Sequence, residues 1–295
     1  MQRTIKNNWI VIFYIVVCFI WGTTWIAIKS AVETIPPLTS AGLRFLIAFP
    51  FLLSILKLKK QSLFYQNNKK MLFVFVTVCY FCIPYFLLNF GERFVSSGFT
   101  AILFSTVSIF MILFSIIINR TKVPINQLFG VILGFIFLIL IILEKQQTFS
   151  ETNILGICAI LGAAICHSLS YVVIKKYGFE INVLTLNTLP MGIGGLLLLL
   201  LGILIEKPDV SSFSYSSIFA ILYLAIVASV IGFALYFYLL KRMNTVMLSY
   251  VFIFFPVIAV SISLLIENEI LSYKFFILFL GLLGAFTLTK IKIPT

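Results

Sequence analysis

The sequence predicts an all-α membrane protein of ten transmembrane helices, arranged as two inverted five-helix repeats around a central cavity. Three observations predict it. Apolar runs of about 20 residues, the length that spans about 30 Å of hydrocarbon, recur along the whole chain. Lysine and arginine alternate between dense and sparse loops without a break. The second half also repeats features of the first at a spacing of about 146–149 residues.

The composition leaves little room for anything else. Of 295 residues, 62% are hydrophobic and 10% charged, with a mean hydropathy of +1.17. A net charge of +12 invites a nucleic-acid reading, but the cations sit in small clusters between apolar segments and form no basic face. The basic start MQRTIKNNW leads into a long apolar run with no small-residue cleavage site, so it reads as a retained first helix.

The predicted helices are 9–29, 37–57, 70–90, 96–118, 124–143, 154–175, 183–205, 215–239, 245–266 and 273–290. Pro36-Pro37, Asn67-Asn68, Ser96-Ser97, Pro124, Gly178, Pro208 and Asn244 mark the cuts. Starting from the N-terminus, alternate loops hold Arg3, Lys6, Lys57, Lys59, Lys60, Lys69, Lys70, Arg120, Lys122, Lys175, Lys176, Lys241, Arg242, Lys290 and Lys292. The intervening loops hold only Lys29, Arg93, Lys145, Lys207 and Lys274. Positive loops stay cytoplasmic, so both termini are predicted there, in the cytoplasmic membrane.

The repeat sets Trp25-Ile26-Ala27-Ile28-Lys29 against Tyr171-Val172-Val173-Ile174-Lys175, Leu38-Thr39 against Leu184-Thr185, and Arg93 against Arg242. Five helices per half is an odd number, so the halves 9–143 and 154–290 lie inverted, with a site expected between them near the midplane. Residues 144–153 form the linker.

Arg44 is the cation that falls deep inside a predicted helix, flanked by Leu43, Phe45, Leu46 and Ile47. A charge at that depth costs several kcal/mol and marks a functional site by default. Its bland alternative is a snorkelling anchor near the Pro37 end. With no Asp or Glu deep in a predicted helix, the substrate itself is expected to bring the negative charge, since a guanidinium grips a carboxylate bidentately.

Trp21, Thr24, Trp25, Tyr80, Tyr171 and Tyr250 are the other expected cavity-lining residues, offering flat faces with polar tips. Interface-belt placement is the alternative for the aromatic ones. His167, the single histidine, lies in the middle of the sixth helix and is a candidate for binding or proton coupling. Neutral packing between helices is its alternative. Glu92 and Glu269 are candidate gating or coupling acids near the outer face, with Glu267 beside them.

Cys79-Tyr80-Phe81-Cys82 has metal or redox spacing, but without nearby ligands its cysteines read as small packing residues. No catalytic, metal or cofactor site is expected. Gly130/Gly134 and Gly281/Gly284 are small-residue pairs for close packing within the chain or for a homodimer face.

The run WGTTWIAIKSAVETIPPLTSAGLRFLIAFPFLL resembles the opening of the EamA family of the drug/metabolite transporter superfamily. That opening has a Trp-Gly-small-x-aromatic run, a proline before the second helix and an Arg-Phe pair on it. Leu248-Ser249-Tyr250, Pro256 and Ile266-Glu267-Asn268-Glu269 are similar to the family's ninth-helix pattern. The likeness covers about 10–290. It implies two five-helix bundles enclosing a cavity that opens to each side in turn, and export of amino acids or other small metabolites, in some members coupled to protons or exchange. The chain departs from the pattern at Val107-Ser108 and Asn119-Arg120, where a proline break and an acid are absent from the first half.

Other classes fit poorly. A metalloprotease needs His-Glu-x-x-His, and a diaspartyl protease needs two membrane aspartates where Asp209 is the single Asp. An intramembrane enzyme using a serine with His167 as base lacks a Gly-x-Ser-x-Gly elbow. A channel lacks a filter-like loop, and no phosphate-binding loop links transport to ATP. A multidrug or other-metabolite carrier of the same fold stays open as the alternative to amino-acid export.

Overall fold

The structure, a computed structural model, describes residues 2–120, 124–146, 151–240, 242, 251–267 and 271–290. These residues form ten apolar helical segments, and no strand occurs among them. They are α1 (Gln2–Val32), α2 (Pro37–Leu58), α3 (Asn67–Gly91), α4 (Ser97–Asn119), α5 (Ile125–Gln146) and α6 (Glu151–Tyr177). They continue with α7 (Val183–Glu206), α8 (215–240), α9 (Val251–Ile266) and α10 (Tyr273–Lys290). Eight are long and apolar enough to cross a membrane, whereas the apolar parts of α9 and α10 are shorter. Residues 245–250 of the ninth predicted helix lie outside the described residues.

Local chemistry sets the starts. Pro37 opens α2 at a position where a missing N–H costs nothing. Side chains of Ser96, Asn182 and Ser214 accept from Phe99 N, Leu184 N and Ser217 N at the starts of α4, α7 and α8.

α2 lies against α7, α5 against α10, and α4 against both α6 and α9; α1 contacts α8 and α9, and α3 contacts α6. The α2–α7 contact is backbone-close. A Cβ on Gly42 would meet Leu199 N at 2.6 Å, and one on Gly202 would meet Thr39 N at 2.9 Å. Since backbone cannot step aside, Gly42→Ala is expected to cost about 1–3 kcal/mol or more. A lowered thermal transition of the purified protein in detergent checks this, and an unchanged one contradicts it.

Three helices depart from regular winding. α3 widens to a π-helix over Val76–Cys82 and α8 over Tyr223–Gly232. A third π stretch, Gly202–Glu206, ends α7.

The expected asymmetry of helix breaks is reversed. α4 breaks at Thr106 without a proline, because Ser105 and Thr106 hydroxyls donate back to Ile102 O and Leu103 O, both at 2.6 Å. α9 runs through Pro256 unbroken.

Gly134 and Gly281 are consumed by packing within the chain, where an added Cβ would meet Ile109 at 2.7 Å and Phe137 at 2.3 Å. Gly284 faces open space.

Candidate functional site

Arg44 is 5% exposed, so it does not snorkel; it is held inside the bundle. Its Nε donates to Ser229 Oγ at 3.0 Å. Its guanidinium lies 5.0 Å from the Tyr85 ring centroid and 5.7 Å from that of Phe45, at cation–π range. Ser229 in turn donates to Leu224 O, five residues back, at 2.9 Å. That bond belongs to the widened turn of α8, a common device at functional sites. The π stretch thus presents a hydroxyl that fixes the guanidinium's orientation.

Arg44 faces a central cavity of about 80 Å³. Its wall includes Trp21, Thr24 and Trp25 from α1, Tyr85 from α3, Phe104 from α4, His167 and Tyr171 from α6, Phe233 from α8 and Phe255 from α9. The sequence expectations Trp21, Thr24, Trp25, Arg44, His167 and Tyr171 therefore come together.

Trp25 stacks on Phe255 at 5.6 Å and tilts against Phe104 at 5.1 Å, and its buried Nε1–H has no hydrogen-bond partner. Thr24 donates to Trp21 O at 2.7 Å, which leaves its oxygen free to accept. His167 is ringed by Tyr80, Tyr85, Phe104 and Tyr171, with centroids 5.0–6.0 Å away.

Tyr80 stands behind this wall, 3.4 Å from the Tyr171 hydroxyl; Tyr85 lines the cavity in its place. Tyr250 and Glu269 lie outside the described residues.

One end of the bundle, formed by the loops around residues 33–36, 92–96 and 206–214 and by Glu267, is latched by hydrogen bonds. Glu206 at the end of α7 accepts from Leu38 N, Thr39 N and Thr39 Oγ1 at 2.8–2.9 Å, where a carboxylate also complements the start of α2. Glu267 at the end of α9 accepts from Ser97 N at 3.0 Å, from Ser97 Oγ at 2.8 Å and from Ser263 Oγ. Lys29 Nζ donates to Glu92 O at 2.6 Å and Val95 O at 2.9 Å. The Glu92 side chain is wholly buried, and neither carboxyl oxygen has a partner.

Toward the other end, the described residues leave a wider cavity open. A cavity of about 520 Å³, more than six times the central one, is lined by Lys59, Gln61, Asn182, Asn187, Thr188, Tyr238 and Arg242 among others. Phe233 lines both cavities and so stands between them.

Sequence reasoning missed Glu206, Ser229 and Tyr85. Ser229 carries no charge or motif to single it out, and Glu206 reads as one more loop acid. Among the described residues no group of His, Cys, Asp or Glu suits a metal ion, and Cys79 and Cys82 are free thiols.

Ser229→Ala leaves Arg44 without its side-chain acceptor, so transport is expected to fall about tenfold, the worth of one hydrogen bond to a charged group. Unchanged initial rates in proteoliposomes contradict that role.

Comparison with known proteins identifies the lineage. PagO of Salmonella typhimurium is 36% identical over 280 residues, covering 95% of this chain and 92% of PagO. An uncharacterized transporter of Buchnera aphidicola (subsp. Schizaphis graminum) is 35% identical, covering 90% and 89%. A protein of Escherichia coli K12 named as a probable amino-acid metabolite efflux pump is 23% identical, covering 88% of each chain. A solved crystal structure, 15% identical, superposes with a TM-score of 0.69 over 95% of this chain and 96% of its own, which supports the fold. The signature of the EamA-like transporter family matches residues 8–143 and 154–290. With its multiple apolar helices, this multi-pass membrane protein belongs to the EamA-like transporter family.

Proposed function

We propose that the protein is a secondary transporter that exports small carboxylate-bearing metabolites, amino acids or related compounds, across the cytoplasmic membrane by alternating access. The observation that carries this reading is Arg44. It is a buried guanidinium with free donors, in a small aromatic cavity that connects through Phe233 to an open vestibule while the opposite end is latched. Such a cation, without a membrane carboxylate, is suited to an anionic group on the cargo. The efflux-pump name of the 23% identical Escherichia coli relative points the same way.

The cation-rich loops adjoin the vestibule, so by the positive-inside rule the open end faces the cytoplasm and the latched end faces out. The captured state is then the one that loads cargo from inside. We further infer that residues 9–143 and 154–290 are inverted repeats of five helices. Exchanging α1 with α6, α2 with α7, α3 with α8, α4 with α9 and α5 with α10 turns the α1–α9 contact into α6–α4. The same exchange turns α3–α6 into α8–α1, and α2–α8 into α7–α3, all of them observed pairs. The two long π stretches fall on the exchanged helices α3 and α8. Glu92 and His167 are the coupling candidates within the described residues, and Gly284 is the open face for a second copy.

Efflux of a labelled metabolite mixture from proteoliposomes, with and without an imposed pH gradient, tests the reading. Flux of carboxylate solutes is expected. Gradient-driven flux brings in the coupling residues, whereas flux that ignores the gradient assigns exchange or facilitated export. Folded protein that moves no carboxylate contradicts the proposal.

A further inference from the structure

Among the described residues, the pathway from the open end to the centre carries charge of one sign only. The central cavity is lined by Arg44 and the vestibule by Lys59 and Arg242, and no described Asp or Glu lines either wall. The acids of the described residues lie elsewhere. Glu206 and Glu267 are engaged at the latched end, and Glu92 is buried there beside Lys29. Glu180 is exposed in the loop before Asn182, off the cavity wall.

The remaining polar groups on the described walls carry no carboxylate: they are hydroxyls, amides, the indole N–H groups of Trp21 and Trp25 and the His167 imidazole. Buried polar atoms await a partner in both cavities: Trp25 Nε1 and His167 Nδ1 in the centre and Thr188 Oγ1 in the vestibule.

This arrangement discriminates between two kinds of carboxylate. An α-amino acid carries its ammonium on the carbon next to the carboxylate. If the carboxylate binds Arg44, the ammonium is held within a few ångströms of the guanidinium, among aromatic rings and with no acid to face. Burying a cation unpaired beside a like charge is strongly unfavourable. The Tyr85 and Phe45 ring faces already engage Arg44, and a cation set on the other rings of so small a cavity still lies beside the guanidinium. A carboxylate without an ammonium meets no such penalty, and its apolar body fits the rings of Trp25, Phe104, Tyr171 and Phe255.

We propose that the cargo is a net anion, a univalent carboxylate with an apolar or aromatic body and no ammonium group, and that it crosses with its charge. This rests on the carboxylate-export reading and narrows it. An anion leaving a cell that is negative inside moves with the membrane potential, so the potential alone supplies a driving force.

The test uses phenyllactate and phenylalanine, which differ only in a hydroxyl in place of the ammonium. Full-length protein is reconstituted into liposomes loaded with one labelled solute, and protein-free liposomes set the leak. Phenyllactate efflux is expected to exceed phenylalanine efflux at least about tenfold. With valinomycin and a tenfold outward potassium gradient, a univalent anion moving electrogenically is expected to approach about a tenfold concentration ratio, outside over inside.

A Lys59→Gln/Arg242→Gln variant changes two exposed cations and tests the vestibule separately. Its apparent affinity for phenyllactate is expected to fall several-fold at low salt and to converge on wild type at high salt, as steering by surface charge requires. Phenylalanine efflux equal to or faster than phenyllactate efflux overturns the inference and leaves carboxylate export standing. Phenyllactate flux indifferent to the potential also overturns it. Transport of neither solute, nor of any other carboxylate, by folded protein removes both.

Discussion

Arg44→Ala is expected to abolish measurable transport while the protein stays folded. Among the described residues the guanidinium has no acid partner; its side-chain bond runs to Ser229 Oγ and its faces rest on Tyr85 and Phe45. Removing it therefore strands no buried counter-charge, the usual reason that truncating one member of a buried pair unfolds a protein. It also removes a charge that is costly to keep at this depth. The thermal transition should hold or rise, with the lost ring contacts as the opposing loss.

Cargo binding is another matter. Losing one partner of a desolvated, hydrogen-bonded charge pair costs roughly 2–5 kcal/mol, or about 30-fold to several-thousand-fold in transport efficiency. Arg44→Lys keeps the charge but loses the planar fork that Ser229 orients, so it should recover little. Initial efflux rates set beside melting curves decide the matter. A folded Arg44→Ala protein with wild-type flux removes Arg44 from the pathway.

The second large effect belongs to the latch. Glu206 and Glu267 each tie the end of one helix to the start of another through backbone N–H and hydroxyl donors. Charge-assisted bonds of this kind contribute about 1.5–3 kcal/mol each. They exist only while this end is closed, so their loss falls on the closed state alone.

Taking one such net contribution per latch, Glu206→Ala/Glu267→Ala shifts the balance by about 3–6 kcal/mol, or roughly 10²- to 10⁴-fold toward opening at this end. Spin labels at the exposed positions Glu33 and Val210 are expected to read a longer, dominant distance in the double variant. A distribution identical to that of the parent protein means that other contacts, such as Lys29 to the Glu92 and Val95 carbonyls, hold the end shut.

The helices were legible because each must satisfy its backbone inside hydrocarbon, which makes apolar length a direct readout. Arg44 was legible for the converse reason, since a charge among Leu43, Phe45 and Leu46 has no bland account once it is 5% exposed. What stayed hidden depends on contacts distant in sequence. Glu206 acts on Thr39, 167 residues away, and nothing local distinguishes it from Glu144 or Glu180.

The π stretch of α3 was hidden too, since VTVCYFC carries no breaker to announce one. Pro256, which reads as a break, is absorbed, while Thr106, which does not, breaks its helix through its own hydroxyl. Tyr80 and Tyr85 are five residues apart on the widened helix.

Alternating access requires that Arg44 sit on a path open to one side at a time. The direct measurement is side-specific thiol labelling in sealed membrane vesicles of known orientation. It uses a background in which the five native cysteines are replaced, with Ala234→Cys, exposed on the vestibule wall, and Val95→Cys at the latched end. Impermeant reagent is predicted to reach Cys at 234 from the cytoplasmic side. It should reach Cys at 95 from outside only when Glu206 and Glu267 are also replaced, with labelling at 234 then falling. Labelling of both positions from one side, or of both at once whatever the latch, contradicts alternating access.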